Sequence, residues 1–403
     1  MMSFALVLRE KVMTRFSTQL IALVVLALGL LISVTAKGDI DEQKTIVAGE
    51  TECAMAQLAG EHLKARRHCR RAARNGSAYG QYSLALLYHL GKGVSQDYAE
   101  AARWYRAAAD QGYRPAQNNL ALMYYRGNNV SQDYAQAARW FRAAAEQGHV
   151  PAKNKLALMY NNGEGVSQDY AKAARWYRAA AEQGNSVAQN NLGVMHYNGT
   201  GVRQDYAEAA RWYRAAAEQG NSTAQNNVAS MYKAGRGVSQ DYAQAARWFR
   251  AAAEQGNVSA QINLALMLEE GAEIPQDYAE AARWYRAAAE QGNSTAQFNL
   301  AQMYFEGEGV LQDYLEGLHW YRAAAEQGNV SAQFNLGSAH VNGKGVPRNY
   351  VVAHAWFNIS SANGFARGAE ARDQVAQQMT AEQIAAAQEL ARRCMATNYV
   401  DCE

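Results

Sequence analysis

Few side chains in this sequence could do chemistry, and their spacing organises no reaction. Its eight histidines, His62, His68, His89, His149, His196, His319, His340 and His354, share no ligand-like spacing. Cys53, His62, His68 and Cys69 include metal-ligating types. However, His68 and Cys69 are adjacent, point to different faces of a helix, and fit no common zinc pattern. The recurrent Gly-x-Gly-Val, as at Gly163-Glu164-Gly165-Val166, follows no strand and reads as a turn, not a phosphate cradle. No trio of Ser, His and acid is recognisable along the chain. The expectation is a protein that is not an enzyme, with no catalytic residues, no metal and no cofactor.

The remaining reactive residues are four cysteines, Cys53 and Cys69 near one end and Cys394 and Cys402 near the other. An even count clustered this way predicts two terminal disulfides in an exported chain; four unpaired thiols are the alternative. Export is read from the first residues. Arg9, Lys11 and Arg15 precede an apolar run from Leu20 to Ile32, and Val34-Thr35-Ala36 offers small residues for cleavage. Residues 1–36 therefore read as a signal peptide, with an uncleaved signal anchor as the alternative, and the chain as exported, periplasmic or secreted. Removing Arg9, Lys11, Arg15 and Glu10 takes 39 basic and 37 acidic residues to 36 of each. A neutral mature chain has no bulk electrostatic drive toward nucleic acid or anionic lipid, so neither is expected as a partner. A membrane enters this reading only if the leader is retained.

The elements that position these residues repeat. All eight tryptophans, from Trp104 to Trp356, are 36 residues apart, as are Gly112, Gly148 and their successors to Gly364. A period of this length means a solenoid or array of supersecondary units. Each unit reads as a first helix, a glycine loop and a second helix. The first is exemplified by about Ala116 to Tyr125, with Leu120, Met123 and Tyr124 at helical spacing. Ser186 with Gln189, Ser222 with Gln225 and Ser294 with Gln297 read as capping boxes for that helix. The second helix starts at an Asp-Tyr pair. Asp97, Asp133, Asp205, Asp241, Asp277 and Asp313 each precede Glu or Gln by three residues, another capping-box spacing, and Asp169 with Lys172 is the exception. One hairpin cannot bury both of its faces, so successive hairpins must stack. Leu84, Leu120, Leu156, Leu192, Val228, Leu264, Leu300 and Leu336 then form one core line and the tryptophans another.

The assembled pattern is Ala-x-x-x-Leu-Ala/Gly-x-x-Tyr, Gly-x-Gly-Val, then Asp-Tyr-x-x-Ala-x-x-Trp-Tyr-x-x-Ala-Ala-x-x-Gly. It closely resembles the Sel-one-like repeat, a relative of the tetratricopeptide repeats. The resemblance implies an all-α fold, a right-handed α/α superhelical solenoid of eight 36-residue helical hairpins with capping half-repeats. It also implies a scaffold for protein–protein contacts, in envelope assembly, signalling or host interaction. Some exported members are catalogued as β-lactamases, so a hydrolase or envelope-glycan-binding protein is the alternative. Residues 37–79 are expected to form an N-terminal linker and capping half-repeat, 80–367 the eight repeats, and 368–403 C-terminal capping helices. Three departures stand out: the loops Gly127-Asn128-Asn129-Val130 and Gly271-Ala272-Glu273-Ile274 lack the second glycine, and Asn349-Tyr350 replaces Asp-Tyr. Positions 89 and 105 flank Asp97 symmetrically and face each other across a hairpin. Cys53 and Cys69 hold the same positions one period earlier, so a clasp of the first hairpin is expected. Cys394 lies on a last helix opened by Thr380 with Gln383, and Cys402 is expected to fold back to it.

In related repeats the first helix of each unit lines a concave surface, which implies a binding strip at positions 82, 86, 89 and 90 plus multiples of 36. The early strip offers Asn118, Tyr125, Arg126, Asn154, Asn190, Tyr197, Asn226 and Lys233; the late strip offers Ile262, Glu269, Phe298, Phe305 and Phe334. Asn amides suit the backbone of an extended peptide, and exposed Phe would form an apolar patch for an unknown protein or peptide. Alternatively, the Asn solvate the surface and the Phe bury between repeats. A second Asn column, Asn119 to Asn335, reads as a hydrogen bond within the hairpin. Arg103 and Arg106 interleave with Glu100 and Asp110, which predicts an ion-paired outer face.

Overall fold

A computed structural model describes residues 39–127, 130–271, 274–397, Tyr399 and Cys402. The leader at 1–36 and the loop residues Asn128, Asn129, Ala272 and Glu273 lie outside the described residues. Among those described there are twenty helices and no strand. α1 (Asp39–Leu58) and α2 (His62–Arg74) form a terminal hairpin. First helices of the repeats are α3 (Ala78–Leu90), α5 (Arg114–Arg126), α7 (Val150–Asn162), α9 (Ser186–Asn198), α11 (Ser222–Ala234), α13 (Val258–Glu270), α15 (Ser294–Glu306) and α17 (Val330–Asn342). Second helices are α4 (Tyr98–Asp110), α6 (Tyr134–Glu146), α8 (Tyr170–Ala181), α10 (Tyr206–Glu218), α12 (Tyr242–Glu254), α14 (Tyr278–Glu290), α16 (Tyr314–Glu326) and α18 (Tyr350–Ala362). α19 (Ala366–Ala376) and α20 (Ala381–Ala396) close the series. The chain divides into two compact units, one ending at Trp176 and one beginning at Tyr177. Within each, a helix packs on its neighbours in sequence, the arrangement of a solenoid.

The Leu column is buried throughout, from Leu84 to Leu336, with Val228 in its fifth place. The tryptophans sit shallower than expected. Trp140, Trp212 and Trp356 are buried, and the other five are half-buried. The deep aromatic line runs one residue later, through Tyr105, Phe141, Tyr177, Tyr213, Phe249, Tyr285, Tyr321 and Phe357. An indole holds a polar N–H at its edge, and the repeat uses it at the rim. Trp104, Trp212, Trp284 and Trp320 donate to Glu100, Glu208, Glu280 and Glu316 one turn earlier at 2.8–3.1 Å.

That contact corrects the expected capping boxes of the second helices. The Asp side chains do accept the third backbone N–H, as in Asp205 from Glu208 at 2.9 Å. Those four glutamates reach forward to Trp instead of back to the cap. The first helices are corrected too: Asn185, Asn221 and Asn293 are the caps, one residue before the serines expected to cap. Each accepts a backbone N–H with its side-chain oxygen, worth about 1 kcal/mol. Gln189, Gln225 and Gln297 are buried and make other bonds.

Those bonds form a ladder. Gln225 donates to the Ala217 carbonyl at 3.2 Å and accepts from Gln255 at 2.7 Å, so one amide ties the preceding helix to the following hairpin. Gln189, Gln261 and Gln297 do the same within the second unit, as do Gln81 and Gln117 within the first. The second loop glycine is fixed by a close approach: a Cβ on Gly309 would lie 2.1 Å from the Tyr278 carbonyl oxygen. At the ends, Cys53 and Cys69 are joined in a disulfide with Cα atoms 4.7 Å apart, which links α1 to α2. Cys394 is joined to Cys402, and both are buried with Leu390 and Ala391 against α18 residues such as Trp356 and Ile359.

Candidate interaction surface on the first helices

With Leu and Ala turned into the core, the opposite strip of each first helix varies from repeat to repeat. In the first unit, Asn118 is buried and its amide approaches Asn119 at 3.3 Å. Asn154 is half-buried, and Arg126 is exposed. The Tyr125 hydroxyl donates to Glu164 at 2.8 Å, and Lys155 lies over its ring. Burial, then Glu164, pushes that hydroxyl up to about 12.

In the second unit, the carbonyl oxygens of Asn190 and Asn226 accept from Asn227 and Asn263 at 3.0 and 3.2 Å. Part of the column proposed to grip a peptide backbone therefore ties consecutive first helices together. The second Asn column also bonds between hairpins, not within one. Asn119 donates to Tyr105 at 3.3 Å and Asn335 to Tyr321 at 2.8 Å, each reaching the preceding hairpin's second helix. The Tyr197 hydroxyl accepts from Arg236, and Lys233 is half-buried. Ile262 packs against the core. Tyr285 donates to the Glu269 carboxylate at 2.6 Å.

The phenylalanines form no exposed apolar patch. Phe298, Phe305 and Phe334 are each half-buried. Phe298 and Phe305 stack on Tyr321 with ring centroids 5.8 and 5.0 Å apart, and Phe334 on Phe357 at 5.1 Å. Phe305 leans far enough that Gly317, where the seven other repeats carry Ala, leaves it room; a Cβ there would meet the ring at 2.4 Å.

What stays accessible in the second unit is charge. Lys233 and Arg236 precede Glu269, Glu270, Glu306 and Glu308. Glu306 is exposed, yet partial burial of its carboxyl, then Glu308 and Glu269, hold its pKa above the usual range. None of these four glutamates forms an ion pair with a basic side chain among the described residues. On the outer face, Arg103 and Arg211 pair with Glu100 and Glu208 at 3.0 and 2.5 Å. The Arg106 column also does structural work: Arg142 and Arg214 donate to Tyr160 and Tyr232 of the next first helix at 2.7 and 2.6 Å.

No group of three or more His, Cys, Asp and Glu is placed to hold a metal ion among the described residues. Cys53 and Cys69 are taken by their disulfide and cannot act as thiolate ligands. Against the expectation that no Ser-x-x-Lys motif is present, Ser230 and Lys233 have that spacing; the Ser230 hydroxyl donates to the Asn226 carbonyl at 2.9 Å, an ordinary intrahelical bond. The glutamine ladder was also missed. Its signal was a Gln recurring every 36 residues at two phases, masked by a spacing that also fits a capping box.

The Sel1 repeat family model matches residues 61–77 and then eight consecutive 36-residue segments from 78–113 to 330–365. A search of curated proteins returns no match. Among solved structures, a Sel1 repeat protein from Oxalobacter formigenes is 32% identical, with 74% of this chain and 89% of that chain covered and a TM-score of 0.60. The protein c5321, a protective antigen present in uropathogenic Escherichia coli strains and displaying an SLR fold, is 33% identical, with 89% and 96% covered and a TM-score of 0.48. Repeats matched along most of the described residues, on this hairpin architecture, show that the chain belongs to the Sel1 repeat family.

Proposed function

We propose that this Sel1 repeat scaffold is exported and binds a protein partner through the variable strip of its first helices. Within that strip, the stretch from Lys233 to Glu308 would take a segment whose acidic part faces Lys233 and Arg236 and whose basic part faces Glu269, Glu306 and Glu308. The supporting observation is the crowding at Glu306, whose pKa is raised by partial burial and by two like charges. A basic side chain docked there relieves that repulsion, so binding gains energy that the free chain lacks. Export is supported by the apolar run at Leu20–Ile32 and by the two disulfides that close the described ends. No helix among the described residues is long and apolar enough to cross a membrane. A glycoside hydrolase would need an enclosed carboxyl acid facing a second carboxylate, and Glu306 is exposed.

The test is selection of peptides from a displayed library, repeated on Glu269→Gln/Glu306→Gln/Glu308→Gln. Enrichment of basic peptides that lose binding to the variant and weaken with salt is the expected result. Peptides that bind both proteins equally would overturn the assignment of this stretch.

A further inference from the structure

The repeats supply an internal reference for the terminal hairpin. α2 aligns with the second helices, Cys69 matching Tyr105. At four of its positions the charge departs from the full repeats in one direction. Arg74 stands where seven repeats carry Asp or Glu, from Asp110 to Glu326, and Lys64 where four repeats carry Glu, as at Glu100, and one carries Lys172. Arg66 replaces an Ala found in six repeats, as at Ala102, and Arg71 an Ala found in seven, as at Ala107. With Arg67 and Arg70, which the repeats share, the result is a stripe on one helical face: Leu63, Arg66, Arg67, Arg70, Arg71 and Arg74. Arg71 pairs with Glu52, and Arg70 donates to Tyr88 at 2.9 Å. Arg66, Arg67 and Arg74 form no ion pair with an acidic side chain among the described residues.

Apolar side chains accompany this charge. Leu63 is 73% exposed, and Met55 and Leu58, beside the same turn at the end of α1, are 52% and 68% exposed. The stripe runs about 17 Å from Leu63 to Arg74 at helical rise. Among the described residues its lining comes from one helix, which offers a ridge and not a cleft shaped to one peptide conformer. Among the described residues it also holds no aromatic ring on which a nucleobase could stack. Arginines beside protruding Leu and Met suit a surface that is anionic, fluid and apolar just beneath its charge.

We propose that the outer face of the α1–α2 hairpin docks the chain on an anionic phospholipid surface, with arginines on headgroup phosphates and Met55, Leu58 and Leu63 at the acyl boundary. This site lies apart from the first-helix strip. It also revises the expectation drawn from a neutral total charge, which averages out a local excess.

The test is vesicle co-sedimentation of residues 37–403, which hold every described helix and both disulfides. The vesicles are phosphatidylcholine alone or with about a third phosphatidylglycerol. Arg66→Ala/Arg71→Ala/Arg74→Asp restores the internal-repeat residues and is compatible with the fold. Each arginine near such a surface contributes about five-fold in affinity, so the triple variant should lose on the order of a hundred-fold. Leu63→Ala, also the internal-repeat residue, should bind more weakly with the same salt dependence, and salt should release the parent chain. Equal binding to both vesicle types, undiminished binding by either variant, or binding of heparin or duplex DNA without binding of vesicles would each overturn the proposal.

Discussion

Replacing Gln225 by Met tests whether the glutamine ladder, rather than the tryptophan column, joins the hairpins. Gln225 is 5% exposed, and the substitution removes its bond to Ala217 at 3.2 Å and the one it accepts from Gln255 at 2.7 Å. Neither partner is orphaned. The Ala217 carbonyl keeps the Gly220 N–H at 2.9 Å, and the Gln255 amide keeps the Ala251 carbonyl at 3.2 Å. The cost is therefore two net hydrogen bonds, about 2 kcal/mol, without the added penalty of a stranded buried group. Gln225→Glu removes the donor and buries a carboxylate against the Ala217 carbonyl. Burial raises the folded pKa of that acid above its unfolded value. Its contribution is then retained at low pH and lost as pH rises through the unfolded and toward the folded value. Repeat arrays need not unfold in one step, so local amide exchange in α10–α12 is the assay, with urea titration beside it. A loss of about 2 kcal/mol should speed exchange there roughly 30-fold. A Met variant within about 0.5 kcal/mol of the parent, with a Glu variant flat between about pH 4 and pH 7, would refute the ladder as a joining element.

Gly309→Ala should cost well over the ~1 kcal/mol expected of Gly292→Ala. Both glycines have positive φ, but a Cβ at 309 strikes the Tyr278 carbonyl and one at 292 meets open space; equal urea midpoints would contradict this. Reducing Cys53–Cys69, which closes a loop across 16 positions, should destabilise the terminal hairpin by about 3 kcal/mol. Exchange should then rise in α1 and α2 while α12–α14 stay unchanged. His196 and His354 are buried, and burial lowers both pKa values. Stability should therefore be present above the ordinary histidine range and fall as pH drops through it, and His354→Gln should flatten that fall in urea midpoints measured from pH 7 to about pH 5.

The period was legible because each hairpin repeats one set of local rules. Glycines with positive φ, Asp caps and the Leu column all recur at fixed phase, and Leu84 through Leu336 are buried as the pattern requires. Residues with two admissible partners were harder to read. Gln189 stands three residues after Ser186 and so fits a capping box, but Asn185 is one residue better placed to cap, which frees the glutamine for the core. Glu208 has the same ambiguity, and the Trp212 indole N–H wins because it lies one turn away on the same face. For the strip, chemistry was legible but depth was not. Phe298 and Phe305 are on the expected face, yet their rings reach Tyr321 in the next helix, a contact that depends on hairpin stacking geometry. The arginine stripe was hidden by the total charge and becomes visible only when α2 is aligned with the full repeats.

Lys153 carries the ladder logic to its one irregular rung. It stands where seven other repeats have glutamine, and it is as buried as they are, at 8% exposed. All seven glutamines donate to the carbonyl eight residues earlier, at 3.1–3.4 Å. For Lys153 that carbonyl belongs to Ala145, which accepts the Gly148 N–H at 2.9 Å and has a second lone pair available. A lysine there has no acceptor atom, so it cannot take the amide bond that each of the seven glutamines accepts. Lys153→Gln should therefore stabilise the first unit by about 1 kcal/mol, the worth of one net buried hydrogen bond. The readout is slower amide exchange in α6 and α7, with α14–α16 as an internal control. Faster exchange in α6 and α7 would mean that the lysine stem packs better than the amide can bond, and the ladder would then be a consequence of stacking and not one of its causes.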